Sequence, residues 1–320
     1  MISNIVCYDF HMQNFYLDPE VVSFIETTIR VSNNLSTSTS IEQQRENYDK
    51  SCRYFYYGYP AGVESTDDIV TGRHGNIPVR RYSSQNHADH TDTQIVFIHG
   101  GGFILGSLDS HDDICAEICD ATGLDTISID YRLSPEFSHP VHLDDVVDAY
   151  LKTWRRKSII VGVSAGANLS AALCHRLKTS HQKPHGQVLI YAALGGDLLD
   201  LESYTTNANA PLLTTEDIQF YRDIRCENGD TPVEDAEFYP LVADNFSDLP
   251  STVAFSADID PLRDDSCLYV EKLRDAGVHA IWHNEPGLTH DYLRARHSSQ
   301  KAADSFGQIC ASIKVLATTL

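Results

Sequence analysis

From residue 94 to the C-terminus, short apolar runs alternate with longer stretches in which apolar residues recur every three or four positions. Runs at 94–98 (Q-I-V-F-I), 125–130 (D-T-I-S-I-D), 158–162, 187–193, 251–257 and 278–283 predict strands. The stretches between them predict helices near 109–122, 141–156, 165–178 and 261–276, with a last one near 298–316. Apolar strands separated by helices predict a mostly parallel sheet covered on both faces, an α/β class fold. Upstream, residues 65–85 alternate around Gly75-Asn76, which predicts a β-hairpin turning there.

Two segments depart from this rhythm. In residues 1–62, Asp18-Pro19 predicts a helix start, with an N-cap followed by Pro at the first helical position. Val21, Val22, Phe24, Ile25 and Ile29 then form one apolar stripe. A polar tract covers 32–40, a second helix is predicted over 41–52, and a Tyr-rich run follows at 54–59. The segment reads either as a helical extension packed on the core or as a lid over an active site. Residues 197–245 carry a polar loop, a helix from about Thr215 to Arg225 and an acidic loop. Inserted after the sixth strand, they are expected above the C-terminal strand ends, where α/β enzymes bind ligands. The organisation expected is therefore a helical segment over 1–62 and a catalytic domain over 63–320, to which 197–245 adds a second cap piece.

Composition narrows the function. The 320 residues suit one large α/β domain. Lys+Arg is 24 against Asp+Glu 45, a net charge of −21 that repels nucleic acid and anionic membrane, so neither is an expected partner. Eight cysteines form no C-x-x-C pair, and several fall within apolar helical patterns. That pattern points to free buried thiols in a reducing compartment. With no basic leader followed by an apolar run and no apolar stretch of membrane-spanning length, a cytoplasmic protein is expected.

Candidate chemistry centres on Ser158–Ser170, S-I-I-V-G-V-S-A-G-A-N-L-S. Here G-x-S-x-G sits between a strand and a small-residue helix, the setting of an exposed nucleophile. Gly162 and Gly166 let strand and helix approach closely around Ser164, and the helix starting at Ala165 aims its positive end at that serine. His99-Gly100-Gly101-Gly102-Phe103 follows the strand at 94–98. Three glycines there make sense if backbone N–H groups must approach a ligand. Gly101 and Gly102, with Ala165, are the expected oxyanion donors. His99 is expected to brace this loop. No P-loop, dinucleotide fingerprint or metal-ligand cluster occurs, and serine hydrolysis needs no cofactor.

Together, H-G-G-G-F-I-L-G-S-L-D-S-H-D, D-Y-R-L-S-P-E (Asp130 to Glu136), G-V-S-A-G and D-P-L-R-D-D resemble the hormone-sensitive-lipase family of α/β-hydrolases, most of all its bacterial acetyl esterases. The resemblance runs from about residue 65 to the end, and T-T-E-D-I-Q-F-Y is similar to the family's second cap piece. It implies a Ser-His-Asp carboxylesterase with a helical cap. The chain departs from the family at Val163, where an acidic residue is usual, and at His290-Asp291-Tyr292, where H-G-F is common.

In this fold the triad order is Ser…Asp/Glu…His. The loops after strands 251–257 and 278–283 then offer Asp260 and His290 as partners of Ser164. Asp258, Asp264 and Asp291 are rival acids, and His297 is the weaker rival base. Asp260 before Pro261 also reads as a helix N-cap. Glu136 and Arg132 are expected to brace loops under the site. The function expected is hydrolysis of short-chain acyl esters, with a small-molecule ester as partner and a homodimer possible. Amide or peptide hydrolysis on the same triad is one alternative. The other is a non-catalytic binding protein of the same fold, as in the plant gibberellin receptors, against which the histidine at 290 argues.

Overall fold

The computed structural model describes residues 15–33, 37–85, 92–226 and 230–318. Two helices, α1 (Pro19–Val31) and α2 (Ile41–Tyr54), precede the hairpin β1 (Val63–Gly72) and β2 (Gly75–Ser84). Then follow β3 (Thr93–Ile98), α3 (Asp112–Thr122), β4 (Thr126–Ile129), α4 (Val141–Thr153), β5 (Lys157–Val163), α5 (Ala165–Leu177) and β6 (Gly186–Ile190). After the short α6 (Ser203–Thr206) and α7 (Thr215–Ile224), the chain ends with β7 (Ser251–Ile259), α8 (Arg263–Asp275), β8 (Ala280–Thr289) and α9 (Gln300–Thr318). The strands form one sheet in the order β1-β2-β4-β3-β5-β6-β7-β8. The β1/β2 and β2/β4 pairs are antiparallel, and all others are parallel.

The apolar strands are apolar because both of their faces are covered. Side chains alternate across a strand. Val96, Ile98, Ile127, Ile160 and Leu189 accordingly join α4, α5 and α8 in one core. Ile95, Phe97, Ile159, Val161 and Val188 join α1, α3 and α9 in the other. A third, smaller cluster places Tyr48 and Cys52 of α2 on Ile104 and Leu105, just beyond β3, against Phe220, Tyr221 and Ile224 of α7. The two segments outside the strand–helix rhythm therefore meet above the C-terminal end of β3.

Helix starts follow their local signals. Asp18 caps α1 by accepting from Glu20 N, with Pro19 in the first turn, and Thr214 and Asp217 form a reciprocal capping box on α7. The hairpin does not turn at Gly75-Asn76. Gly72 pairs with Gly75, and Arg73-His74 form the two-residue turn. The Asp148 carboxylate on α4 grips Arg73 through its backbone N–H and its guanidinium, and Asp144 takes His74. Those contacts fix the turn from another element. Among the described residues no helix is long and apolar enough to cross a membrane.

Candidate active site

Ser164 stands between β5 and α5 with φ 54° and ψ −119°, a strained conformation for a residue with a side chain. The flanking glycines make the turn possible. A Cβ on Gly166 would fall on the carbonyl oxygens of Ile98 and His99, and one on Gly162 would fall on the Gly166 carbonyl. The Ser164 N–H donates to the Ile190 carbonyl at 2.9 Å, which anchors the turn to β6.

Three loops from distant parts of the chain converge here. His290 follows β8 directly and lies 3.0 Å from the Ser164 Oγ through Nε2. Its Nδ1 lies 2.7 Å from Asp260 Oδ2, just beyond β7. Both partners are buried, Asp260 completely. Nδ1 facing a carboxylate carries the proton, which leaves Nε2 free to accept from the serine hydroxyl. Burial works against a charged ring. The Asp260 charge and hydrogen bond, with Asp291 beyond, outweigh it and hold His290 above its ordinary pKa.

Asp260 combines the two roles that its position suggested. Its Oδ1 accepts from Leu262 N at 2.9 Å while Oδ2 faces the imidazole. The helix starts later than the Pro261 position implied, at Arg263. The rival acids are engaged elsewhere. Asp258 accepts from Asn284 Nδ2 and Gly287 N across a bulge in the β7/β8 pairing. Asp264 pairs with Arg263 and Ser203 N. Asp265, next to Asp264, is fully buried and accepts from the N–H groups of Leu194, Gly195 and Gly196 and from the Tyr204 hydroxyl. His297 lies away from the serine and faces Glu117 at 2.8 Å.

The glycine loop lies opposite His290. Gly101 and Gly102 have φ of 119° and 59°, a region open to glycine at little cost. A Cβ on Gly102 would lie 2.5 Å from the Tyr221 ring, so this glycine also lets α7 close over the loop. The N–H groups of Gly101, Gly102 and Ala165 have no acceptor among the described residues. His99 is buried beneath this loop, 2.8 Å from the Gly100 carbonyl through Nδ1 and stacked on Tyr131, whose hydroxyl donates to the His99 carbonyl. Burial pushes His99 down to about 4, so it is neutral and a donor at Nδ1. His111 is buried at the pocket's edge.

Glu136 braces α2 rather than a buried loop. It is half-exposed and takes a bidentate contact from Arg45 of α2 at 2.7 Å. Arg45 also donates to the carbonyls of Ile104 and Ser134, at 2.9 Å each. Arg132 holds Asp145 and the His74 carbonyl. Val163, at the family's usual acidic position, is buried against the pocket. The pocket around Ser164 is about 100 Å³, with Thr28 and Tyr48 on one side and Leu213, Ile218 and Tyr221 on the other. Arg45 and Tyr48 carried no motif signal, and Tyr221 only as the end of T-T-E-D-I-Q-F-Y, the stretch similar to a cap piece. Their apolar or charged helix positions look like any packed surface.

The model of the family described as the alpha/beta hydrolase fold matches residues 95–294. The chain belongs to that family, in its hormone-sensitive-lipase branch. This α/β-hydrolase is 31% identical over 245 residues to carboxylic ester hydrolase LipN of Mycobacterium tuberculosis, a match spanning 72% of this chain and 65% of the relative. It is 28% identical over 263 residues to ethyl acetate hydrolase of Pseudomonas putida, covering 78% and 82%. The hyperthermophilic esterase of the archaeon Pyrobaculum calidifontis superposes with a TM-score of 0.84 at 26% identity, over 95% of this α/β-hydrolase and 100% of the esterase.

Proposed function

We propose that this chain hydrolyses short-chain acyl esters through Ser164, His290 and Asp260. That it is a carboxylic ester hydrolase follows from its family and relatives; the roles of the three residues and the chain-length preference are our reading. The observation that carries it is the continuous hydrogen-bonded line from Ser164 Oγ through the His290 ring to Asp260.

In this reading His290 Nε2 takes the Ser164 proton as Oγ attacks the acyl carbon. Asp260 keeps the ring oriented and stabilises the imidazolium. The N–H groups of Gly101, Gly102 and Ala165 receive the oxyanion. The proton then passes from His290 to the departing alcohol, and water activated by the same ring releases the acid from Ser164. Apart from water and the ester, the chain's own residues supply every group these steps use. The small pocket, walled by Tyr48, Leu105 and Tyr221, supports a preference for acyl chains of about two to six carbons, because methylenes beyond a pocket's fit gain nothing. The segments around α1–α2 and α6–α7, which supply Tyr48 and Tyr221, act as a cap. Among the described residues seven cysteines are free thiols, five of them buried, which supports a reducing and hence cytoplasmic location.

The test is a series of p-nitrophenyl esters from two to twelve carbons, with matched anilides, on wild type and Ser164→Ala. The reading expects kcat/KM to peak at the short end, anilides to be poor substrates, and the variant to keep less than about a thousandth of the rate. A maximum at twelve carbons, or faster anilide cleavage, overturns it.

A further inference from the structure

The departure from H-G-F at His290-Asp291-Tyr292 places a carboxylate beside the imidazole, at a left-handed position (φ 63°) where glycine is the easier residue. An added negative charge there demands compensation, and one buried side chain supplies it. Arg294 is 2% exposed and spends its donors in three directions. Nε donates to Asp291 Oδ2 at 2.8 Å. Nη1 donates to the Ser110 carbonyl at 2.9 Å, in the short 3₁₀ turn after the glycine loop. Nη2 donates to the Tyr48 hydroxyl of α2 at 2.8 Å. Tyr48 and Asp291 both line the pocket.

We propose that Arg294 is a positioning residue: one guanidinium fixes the loop of His290, the turn after the glycine loop and the α2 wall of the pocket as a single unit. The inference rests on the reading of His290 as the general base. The N-terminal segment then does more than cover the pocket, because its Tyr48 is bonded into the same network as the base.

The other groups around this network are Tyr48 and Cys52 on α2, His111 in the 3₁₀ turn and Tyr191 beyond β6. Burial keeps each of them neutral, raising the tyrosines, pushing Cys52 up to about 12 and lowering His111. The fixed charges nearby are Asp260, Asp291 and Arg294, with Asp49 acting on Cys52 and Asp113 and Arg296 paired further out. Removing Arg294 therefore leaves Asp291 uncompensated next to the ring and favours the imidazolium.

The decisive experiment is the pH dependence of kcat/KM for a short p-nitrophenyl ester, run beside an NMR titration of the His290 ring, in four variants. Arg294→Met should move the acid limb up by about one pH unit, a tenfold loss on its acid side. Asp291→Asn should move it down. The double variant should return it close to wild type, as expected for coupled neighbours. Tyr48→Phe should leave the limb in place and raise KM several-fold. A purely structural Arg294 would lower activity equally at every pH, and that result overturns the proposal, as does an Asp291→Asn limb that does not move down. Should Arg294→Met not fold, Asp291→Asn and Tyr48→Phe decide alone. If wild type turned over no ester, the esterase reading would fail, while the NMR shifts would still report on the network.

Discussion

Replacing Asp260 by Asn changes one atom and removes one charge, yet neither orientation of the amide suits the site. Oδ1 of Asp260 accepts from the Leu262 N–H at 2.9 Å, and Oδ2 accepts from His290 Nδ1 at 2.7 Å. Both positions require an acceptor, and Asn has only one. With its oxygen toward Leu262, its NH₂ faces Nδ1 and forces the ring proton onto Nε2, which then cannot accept from Ser164. Loss of the correct tautomer in the serine-protease precedent costs about 10⁴ in kcat. With its oxygen toward His290, the NH₂ opposes the Leu262 N–H, and a buried donor is left unsatisfied at about 1–3 kcal/mol. The variant is thus expected to fold with stability reduced by no more than that, and to lose at least ~100-fold in kcat. Steady-state hydrolysis of p-nitrophenyl acetate and urea unfolding followed by tryptophan fluorescence measure the two quantities. Asp258→Asn, whose side chain faces Asn284 and Gly287, should stay within about tenfold of wild type. Near-native turnover by Asp260→Asn, or a crippled Asp258→Asn, refutes the reasoning.

Gly166→Ala places a methyl on the Ile98 and His99 carbonyls, neither of which can yield without moving β3. We expect destabilisation of about 3 kcal/mol or failure to fold, read by thermal unfolding against a Gly307→Ala control, where nothing lies within 4 Å. Arg45→Ala severs α2 from Ile104, Ser134 and Glu136 together and should raise KM for every ester. Glu136→Gln should do so less, because Arg45 keeps both carbonyls; equal KM values for both variants and wild type would count against a cap role. In wild type, kcat/KM should rise with pH through a midpoint above 6.5: His290 must be neutral to act as a base, and Asp260 and Asp291 hold its pKa up against burial. A midpoint below 6.5 contradicts that sign.

Much of this was legible in the sequence because its signals are local. Apolar runs named the strands, G-x-S-x-G and the triple glycine marked the elbow and the facing loop, and chain order singled out Asp260 and His290. The rest depends on contacts between residues far apart in sequence. Arg294 meets Tyr48 across 246 positions and Arg45 meets Glu136 across 91, and nothing in either neighbourhood distinguishes these arginines from solvated ones. The hairpin turn moved from Gly75-Asn76 to Arg73-His74 for the same reason, since its clamp is Asp148 on a later helix. Asp265 is gripped by the loop at Leu194–Gly196, 69–71 positions earlier in the chain. β8 also runs further than its apolar segment, through Pro286 and Gly287 to Thr289, because the bulge at Asp258 lets the pairing resume.

The account turns on Ser164 as the nucleophile, and covalent capture reads that directly. Incubation with excess p-nitrophenyl diethyl phosphate should release close to one p-nitrophenolate per chain. Peptide mass spectrometry should then place the diethylphosphoryl group on Ser164, with no labelling of Ser164→Ala. Absence of a stoichiometric burst, or a phosphoryl group on any other side chain, contradicts the account.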